Sequence, residues 1–333
     1  MGGDHGPAVI VEGAADAVRE FGASVILVGN RDAIERELAR LNAGNLGLEI
    51  RHASQVVEMA ESPSQALRRK RDSSLRIAAE LVRDGHASAF ISAGNTGAAM
   101  AIAMFVIGVL RGIDRPAIAT VLPSLKRATV LLDVGANVAP KPWHLFQFAL
   151  MGHAYARDIL GVDNPRVGLL SVGEEEGKGN ELTRETYEQL KESSLNFVGN
   201  VEGRDIYNGA CDVVVTDGFT GNVALKISES LAEMLGAMIK EELTRDLRSK
   251  IGAALSTPAI TRFRKRVDYT EFGGAPLLGI DGEAIICHGR SPAKAIKNAV
   301  RVAAEWAKKG LNEHIRAALE SEVARGGREG GRE

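Results

Sequence analysis

The chain has 333 residues, enough for one large core or for two domains sharing a sheet, with 45% hydrophobic and 25% charged residues as in ordinary globular enzymes. Its net charge of −2 gives no electrostatic case for nucleic acid as a partner. Two cysteines, Cys211 and Cys287, both in strand-like runs, suggest a reducing compartment and neither a disulfide framework nor a zinc site. No apolar run approaches the roughly 20 residues a membrane span needs, and no signal peptide is read, so a cytoplasmic protein is expected.

In chain order, "MGGDHGP" (1–7) opens as a glycine turn carrying Asp4 and His5, and "SVILVGN" (24–30) is the first clear strand. The basic cluster "RRKR" (68–71) follows, with Arg69, Lys70 and Arg71. The strand "ASAFISAG" (87–94) runs into "SAGNTGAA", a glycine loop opening a helix. Ser92, Gly94, Asn95, Thr96 and Gly97 there lack the third glycine of a dinucleotide fingerprint and the lysine of a Walker loop. A compact anion suits such a loop better than a pyrophosphate, and a purely structural turn is the competing reading.

Further strands are "RATVLLDVG" (127–135) and "RVGLLSVG" (166–173); the second leads into "SVGEEEGKGNELTRE" (171–185), where Lys178 lies between glycines. That stretch reads either as a solvated acidic loop or as a lid bringing a point charge to an anion. The strand "CDVVVTDG" (211–218) leads into "TDGFTGNVALK" (216–226), with Asp217, Thr220, Asn222 and Lys226 at a helix start; plain N-capping is the alternative there. Two glycine loops at the same sheet edge favour a shared site.

From Asn222 to Arg266 the pattern is helical, interrupted at "IGAALSTPAI" (251–260), and reads as a hairpin over about 223–266. Its expected tip exposes Ile251, Ala254 and Leu255 between cations, as for shallow insertion at an anionic bilayer. "RFRKR" (262–266) supplies Arg264 and Lys265, a second basic cluster. "EAIICHG" (283–289) is the last strand, and His288 and Arg290 precede the helix start at Ser291 and Pro292. The tail "ARGGREGGRE" (324–333) reads as disordered. Strands buried on both faces, alternating with helices, give an α/β fold with a mostly parallel sheet, as one domain over 1–323. No metal-ligand spacing stands out.

The series "MGGDHGP", "RRKRDSSL", "ISAGNTGA", "RPAIATVLPS", "LLDVGANV", "LLSVGEEEGKGNE", "DVVVTDGFTGNVALK" and "GGAPLLGIDGEAIICHGRSPAKAIKNAVR" strongly resembles the bacterial phosphate acyltransferases of the PlsX family, from Met1 to about Ala304. The resemblance implies conversion of acyl-acyl carrier protein and inorganic phosphate into acyl phosphate for phospholipid synthesis. It also implies a dimeric, three-layer αβα sandwich similar to isocitrate dehydrogenase and phosphotransacetylase, with no cofactor. Family members usually carry a short strand before "MGGDHGP"; a start assigned late is the expected reason for its absence here.

With phosphate as the expected ligand, Ser92, Gly94, Asn95, Thr96, Gly97, Asp217 and Thr220 are expected to bind it, with Lys178 and Asn222 polarising the thioester. Asp4, His5, His288 and Arg290 are secondary candidates. The acidic carrier protein is expected to dock on Arg69, Lys70, Arg71, Arg264 and Lys265, and the hairpin to contact the inner face of the cell membrane peripherally. Rival readings are a phosphotransacetylase-like enzyme using a coenzyme A thioester and an inactive peripheral membrane scaffold.

Overall fold

The computed structural model describes residues 1–267 and 269–329. Its strands are β1 (Ile26–Gly29), β2 (Glu49–His52), β3 (Ala89–Ser92), β4 (Ala117–Leu122), β5 (Thr129–Leu132), β6 (Val167–Leu170), β7 (Phe197–Val201), β8 (Val213–Val215), β9 (Ala275–Leu278) and β10 (Glu283–Ile286). β1 and β2 pair in parallel as a small separate sheet; the others form one eight-stranded sheet in the order β3-β10-β9-β4-β5-β8-β6-β7. All six strands expected from the apolar runs are present, each inside its predicted span.

The helices of the first half are α1 (Gly6–Phe21), α2 (Arg31–Arg40), α3 (Pro63–Arg69), α4 (Ser74–Arg83), α5 (Thr96–Ile102) and α6 (Pro142–Asp158). Those of the second half are α7 (Glu181–Lys191), α8 (Asp205–Asn208), α9 (Gly218–Thr244), α10 (Leu247–Val267), α11 (Ala293–Lys309) and α12 (Leu311–Glu329). Successive side chains of a strand point to opposite faces. Val130, Leu132, Val213 and Val215 accordingly join one core with Phe148, Met151 and Tyr155 of α6. Leu131 and Val214, on the other face, join Phe90, Ala99 and Ile102. Helices therefore cover the sheet on both sides, as the continuous apolar runs required.

Strand direction decides where ligands reach this sheet. β3 and β10 are parallel, as are β5, β8, β6 and β7, but the two blocks run oppositely because β9 and β4 each pair antiparallel to both neighbours. The carboxyl ends of the blocks consequently leave opposite edges, which corrects the expectation of one shared edge. Register nevertheless brings them level. Ser92 pairs with Ile286, which pairs with Ala275. Ala117 opposite Leu278 and Ile118 opposite Leu277 set Ala275 level with Thr120, and Leu132 lies opposite Ala119, one residue along β4. The last residues of β3, β10, β5 and β8 thus meet in two adjacent rows at the middle of the sheet, a switch point of the kind that binds ligands in open α/β sheets.

α9 and α10 form the expected hairpin, over Gly218–Val267. Its turn lies at Arg245 and Asp246, not in the interruption at 251–260: Asp246 caps α10, accepting from the Ser249 N–H at 2.8 Å, and Pro258 sits inside the helix. Ile251, Ala254 and Leu255 are exposed on the first turns of α10 and not at the tip itself. On α9, Val223, Ile227, Leu231, Met234 and Met238 form an exposed apolar stripe at helical spacing. The tail also differs from expectation: Ala324–Glu329 continue α12, while residues 330–333 lie outside the described residues.

Candidate active site

An open cavity of about 1040 Å³ begins at the switch point. Thr96 after β3, Asn222 and Lys226 in the first turns of α9, and His288, Gly289 and Ser291 after β10 line one end of it. Ile118, Thr120 and Leu122, alternate residues of β4 on one face of the sheet, continue it away from that end with Leu225 and Ala232 of α9.

Glycine permits these close approaches. The backbone of α9 crosses directly over the Asp133 carbonyl, and a Cβ at Gly221 would collide with that oxygen. Asp133 itself is fully buried and holds the loop beneath Asn222. Its carboxylate accepts from the N–H groups of Ile118, Gly135, Ala136 and Asn137 and from the Asn137 side-chain amide, at 2.6–3.2 Å. Burial raises this carboxyl above the usual carboxylate range, against the pull of its donors. Since every partner is an N–H, the ionised form is the one that fits.

His288 and Lys226 form the polar centre. Lys226 Nζ lies 3.1 Å from His288 Nε2 and 2.8 Å from Glu229 Oε2. An ammonium only donates, so Nε2 accepts and the imidazole proton belongs on Nδ1. Burial, then Lys226 and Arg290, lower the His288 pKa against the pull of Glu229 and Asp4, which keeps the ring neutral at pH 7. The N-terminal turn closes over this loop: the Asp4 N–H donates to the Gly289 carbonyl at 3.1 Å. Asp4 and Arg290 therefore stand at the edge of the site, while His5 is an exposed helix cap without a side-chain hydrogen bond.

Several expected phosphate ligands are occupied by local structure. Asn95 caps α5, accepting from the Ala98 N–H at 2.9 Å, and its amide donates to the carbonyls of Glu58, Met59 and Glu61. Asp217 caps α9, accepting from the Thr220 N–H at 2.9 Å and from its hydroxyl at 2.7 Å. The Ser92 hydroxyl accepts from the Gly94 N–H at 3.2 Å, and Gly97 lies against Pro63 of α3. Of the expected set, Thr96 lines the cavity, with Ser92, Gly94 and Gly97 shaping the loop that presents it.

Lys178 is not brought to the cavity. It is exposed beyond β6, two strands away from β5, with its side chain beside Gly173. The acidic loop around it is tied down: Glu174 pairs with Arg204, Glu176 pairs with Lys191, and the Asn200 amide donates to the Glu175 carbonyl at 2.9 Å. The cation at the site is Lys226, one turn past Asn222, to which the sequence pattern assigned no role. Both cysteine thiols are buried, which pushes their pKa values to about 12, and they behave as small core side chains. Among the described residues no cluster of three or more His, Cys, Asp or Glu side chains is placed to hold a metal.

Residues 1–314 match the family described as fatty acid synthesis protein. The chain is 58% identical over 320 residues to the phosphate acyltransferase of Geotalea uraniireducens, covering 96% of this chain and 92% of that one. It is 55% identical over 322 residues to the phosphate acyltransferase of Geobacter sulfurreducens, covering 97% and 93%. The chain belongs to this family.

Its fold is shared with a phosphotransacetylase from Streptococcus pyogenes (TM-score 0.64, 17% identity, 90% and 91% of the two chains). The EutD phosphotransacetylase from Staphylococcus aureus is similar too, with a TM-score of 0.59 at 14% identity over 89% of each chain. The α/β fold and the acyltransferase class that the motifs implied are thereby borne out. No helix among the described residues is long and apolar enough to cross a membrane.

Proposed function

We propose that the chain forms acyl phosphate from an acyl-acyl carrier protein and inorganic phosphate. The observation that carries this reading is the convergence of Thr96, Asn222, Lys226 and His288 at one end of an apolar cavity. A phosphate oxygen attacks the thioester carbonyl carbon, the carbonyl oxygen takes up negative charge, and the C–S bond then breaks, the proton given up by the hydrogen phosphate passing to the leaving thiolate to release the carrier thiol. Phosphate is already an oxyanion near neutral pH, so the demand on the protein is to hold it beside a second developing anion. The loop at Ser92–Gly97 holds phosphate through Thr96, and the Lys226 ammonium and Asn222 amide polarise the carbonyl. Neutral His288 keeps Lys226 directed into the site and carries a proton on Nδ1.

Of the two basic clusters, the first ends α3, which packs against α5 and, at Pro63, against Gly97 of the phosphate loop, so the thioester-bearing carrier reaches the site past Arg69 and Arg71. Lys70 is committed to the Glu61 carboxylate and the Val56 carbonyl, and is removed from the docking set. Lys265 is exposed on α10 between Phe263 and Arg266, which line the far end of the cavity, and the Arg264 side chain lies outside the described residues. The apolar stripe on α9 supports pairing of two copies through the hairpin. Leu247, Ile251 and Leu255, one face of α10 flanked by Arg248 and Lys250, support peripheral contact with an anionic bilayer.

Acyl-phosphate formation is measured by hydroxylamine trapping, with palmitoyl-acyl carrier protein or palmitoyl-coenzyme A as donor. Lys226→Met and Asn222→Ala are each expected to lower kcat by about a hundredfold, the usual effect of losing one oxyanion donor. Unchanged turnover in both variants would remove the assigned roles. A preference for the coenzyme A thioester would place the enzyme with the phosphotransacetylases, and no product from either donor would leave a non-catalytic scaffold.

A further inference from the structure

The cavity extends well beyond the polar groups at its inner end. α9 starts at the switch point and runs outward, so each later residue on its cavity face is farther from the reacting carbonyl. Asn222, Leu225, Glu229 and Ala232 all line the space. From Asn222 to Ala232 the helix advances ten residues, about 15 Å at 1.5 Å per residue. The opposite wall keeps pace, since Thr120 and Leu122 lead on to Leu125 beyond the end of β4. Phe263 and Val267 of α10 close the far end, beside Tyr207 of α8. Arg266 fixes that corner by donating to the carbonyls of Ser124 and Leu125.

This cavity face of α9 is distinct from its exposed stripe. Leu225 and Ala232 lie roughly opposite Val223, Ile227 and Leu231 around the helix, so the far half of the cavity does not depend on what covers that stripe.

We infer that the space between β4 and the α9–α10 hairpin is the acyl-chain channel. The carbonyl sits at Asn222 and the methyl end is directed toward Phe263 and Leu125, so Ala232 and Phe263 set the longest chain accepted. The inference rests on the proposed acyl transfer and adds an orientation and a chain-length gauge to it. Its support is the continuity of one cavity from polar head to apolar walls, with a depth of several helical turns. A small acyl group needs no such depth. Ala232 is the smallest side chain on the helical wall and is exposed at the surface, so it accepts a larger residue without disturbing a core.

The test is Ala232→Phe, assayed with octanoyl- and palmitoyl-acyl carrier protein. The expected result is a fall in kcat/KM for palmitoyl of about tenfold or more, with octanoyl changed less than about twofold, because each methylene excluded from an apolar pocket counts strongly. Phosphate KM should not move. Phe263→Ala, at the far end, is expected to raise the ratio of stearoyl to palmitoyl turnover. Equal effects on both chain lengths, or none, would overturn the channel while leaving acyl transfer intact. If the unaltered enzyme makes no acyl phosphate, the transfer reading fails separately. Binding of a fluorescent C16 fatty acid then still decides the channel: weakened by Ala232→Phe if the assignment holds, unchanged if it does not.

Discussion

At the scale of single residues, the site depends on groups that present no chemistry of their own. Asp133 accepts five N–H donors and never meets the cavity, yet it fixes the loop on which Asn222 rests. A second buried carboxyl, Glu283 at the start of β10, is the opposite case. Its Oε2 has no hydrogen-bond partner, and burial, then the charge of Glu313, push its pKa up to about 8. Folded and unfolded chains both hold this proton well below pH 4.5, the ordinary value. As pH rises from there to about 8 the unfolded chain releases it and the folded chain keeps it, so stability falls, by at most about 1.4 kcal/mol per pH unit.

Glu283→Gln removes that fall. Urea denaturation at about pH 5 and about pH 8 should show a clear loss for the parent and a flatter profile for the variant. Parallel profiles would mean that Glu283 ionises freely in the fold. From sequence, Thr96 and Asn222 were legible because each follows a strand and a glycine, and His288 because it leaves a strand immediately before Gly289. Lys226 was not, since its role comes from meeting His288 across 62 residues of chain. Asn95, Asp217 and Thr220 were misleading for a physical reason: the side chains that suit an anion also suit a helix N-terminus, and capping claims them here.

At the scale of elements, continuous apolar runs closed by glycine identified six strands because such runs fit a strand buried on both faces. β2 escaped as a short, mostly exposed edge strand, and β9 because its four residues lie within a glycine- and proline-containing stretch. The hairpin was legible from its length, but its turn was not. Gly252 and Pro258 marked a break that the helix in fact passes through, whereas the real stop is signalled only by Asp246 capping α10. The hairpin carries two apolar stripes, on α9 and α10, whose placement separates the two proposed contacts, with a second copy and with a bilayer. Leu231→Glu, in the middle of the α9 stripe, is expected to convert a dimer to monomers in sedimentation experiments while leaving vesicle binding in place. Leu255→Glu should release the protein from phosphatidylglycerol vesicles without changing its assembly. If both variants behave alike, one surface serves both contacts.

At the scale of the whole molecule, the opposed strand blocks and their stagger bring loops from both blocks to one cavity. The loops that leave β3 and β10 carry Thr96 and His288 to its polar end, where they meet Asn222 and Lys226 from the first turns of α9, with α3 and the arginines at its C-terminal end beside them. The hairpin, which follows β8 in the other block, supplies the apolar wall and leads away to Lys265 and Arg266. Under the proposed acyl transfer and channel, a carrier protein delivering a thioester presents the sulfur at the polar end, because the proposed acyl chain takes the rest. Geometry therefore discriminates between two clusters that charge alone leaves equivalent. Replacing Arg69 and Arg71 together by glutamate should raise the KM for acyl-acyl carrier protein about tenfold and leave the phosphate KM unchanged. Lys265→Glu should alter neither, and both proteins should retain the parent's thermal stability, since these side chains are exposed. Added salt should weaken carrier binding to the parent more than to the double variant, as expected when surface charges steer association. The reverse pattern, with Lys265→Glu impaired and the α3 variant normal, would turn the chain end for end in the channel and place the carrier at the hairpin.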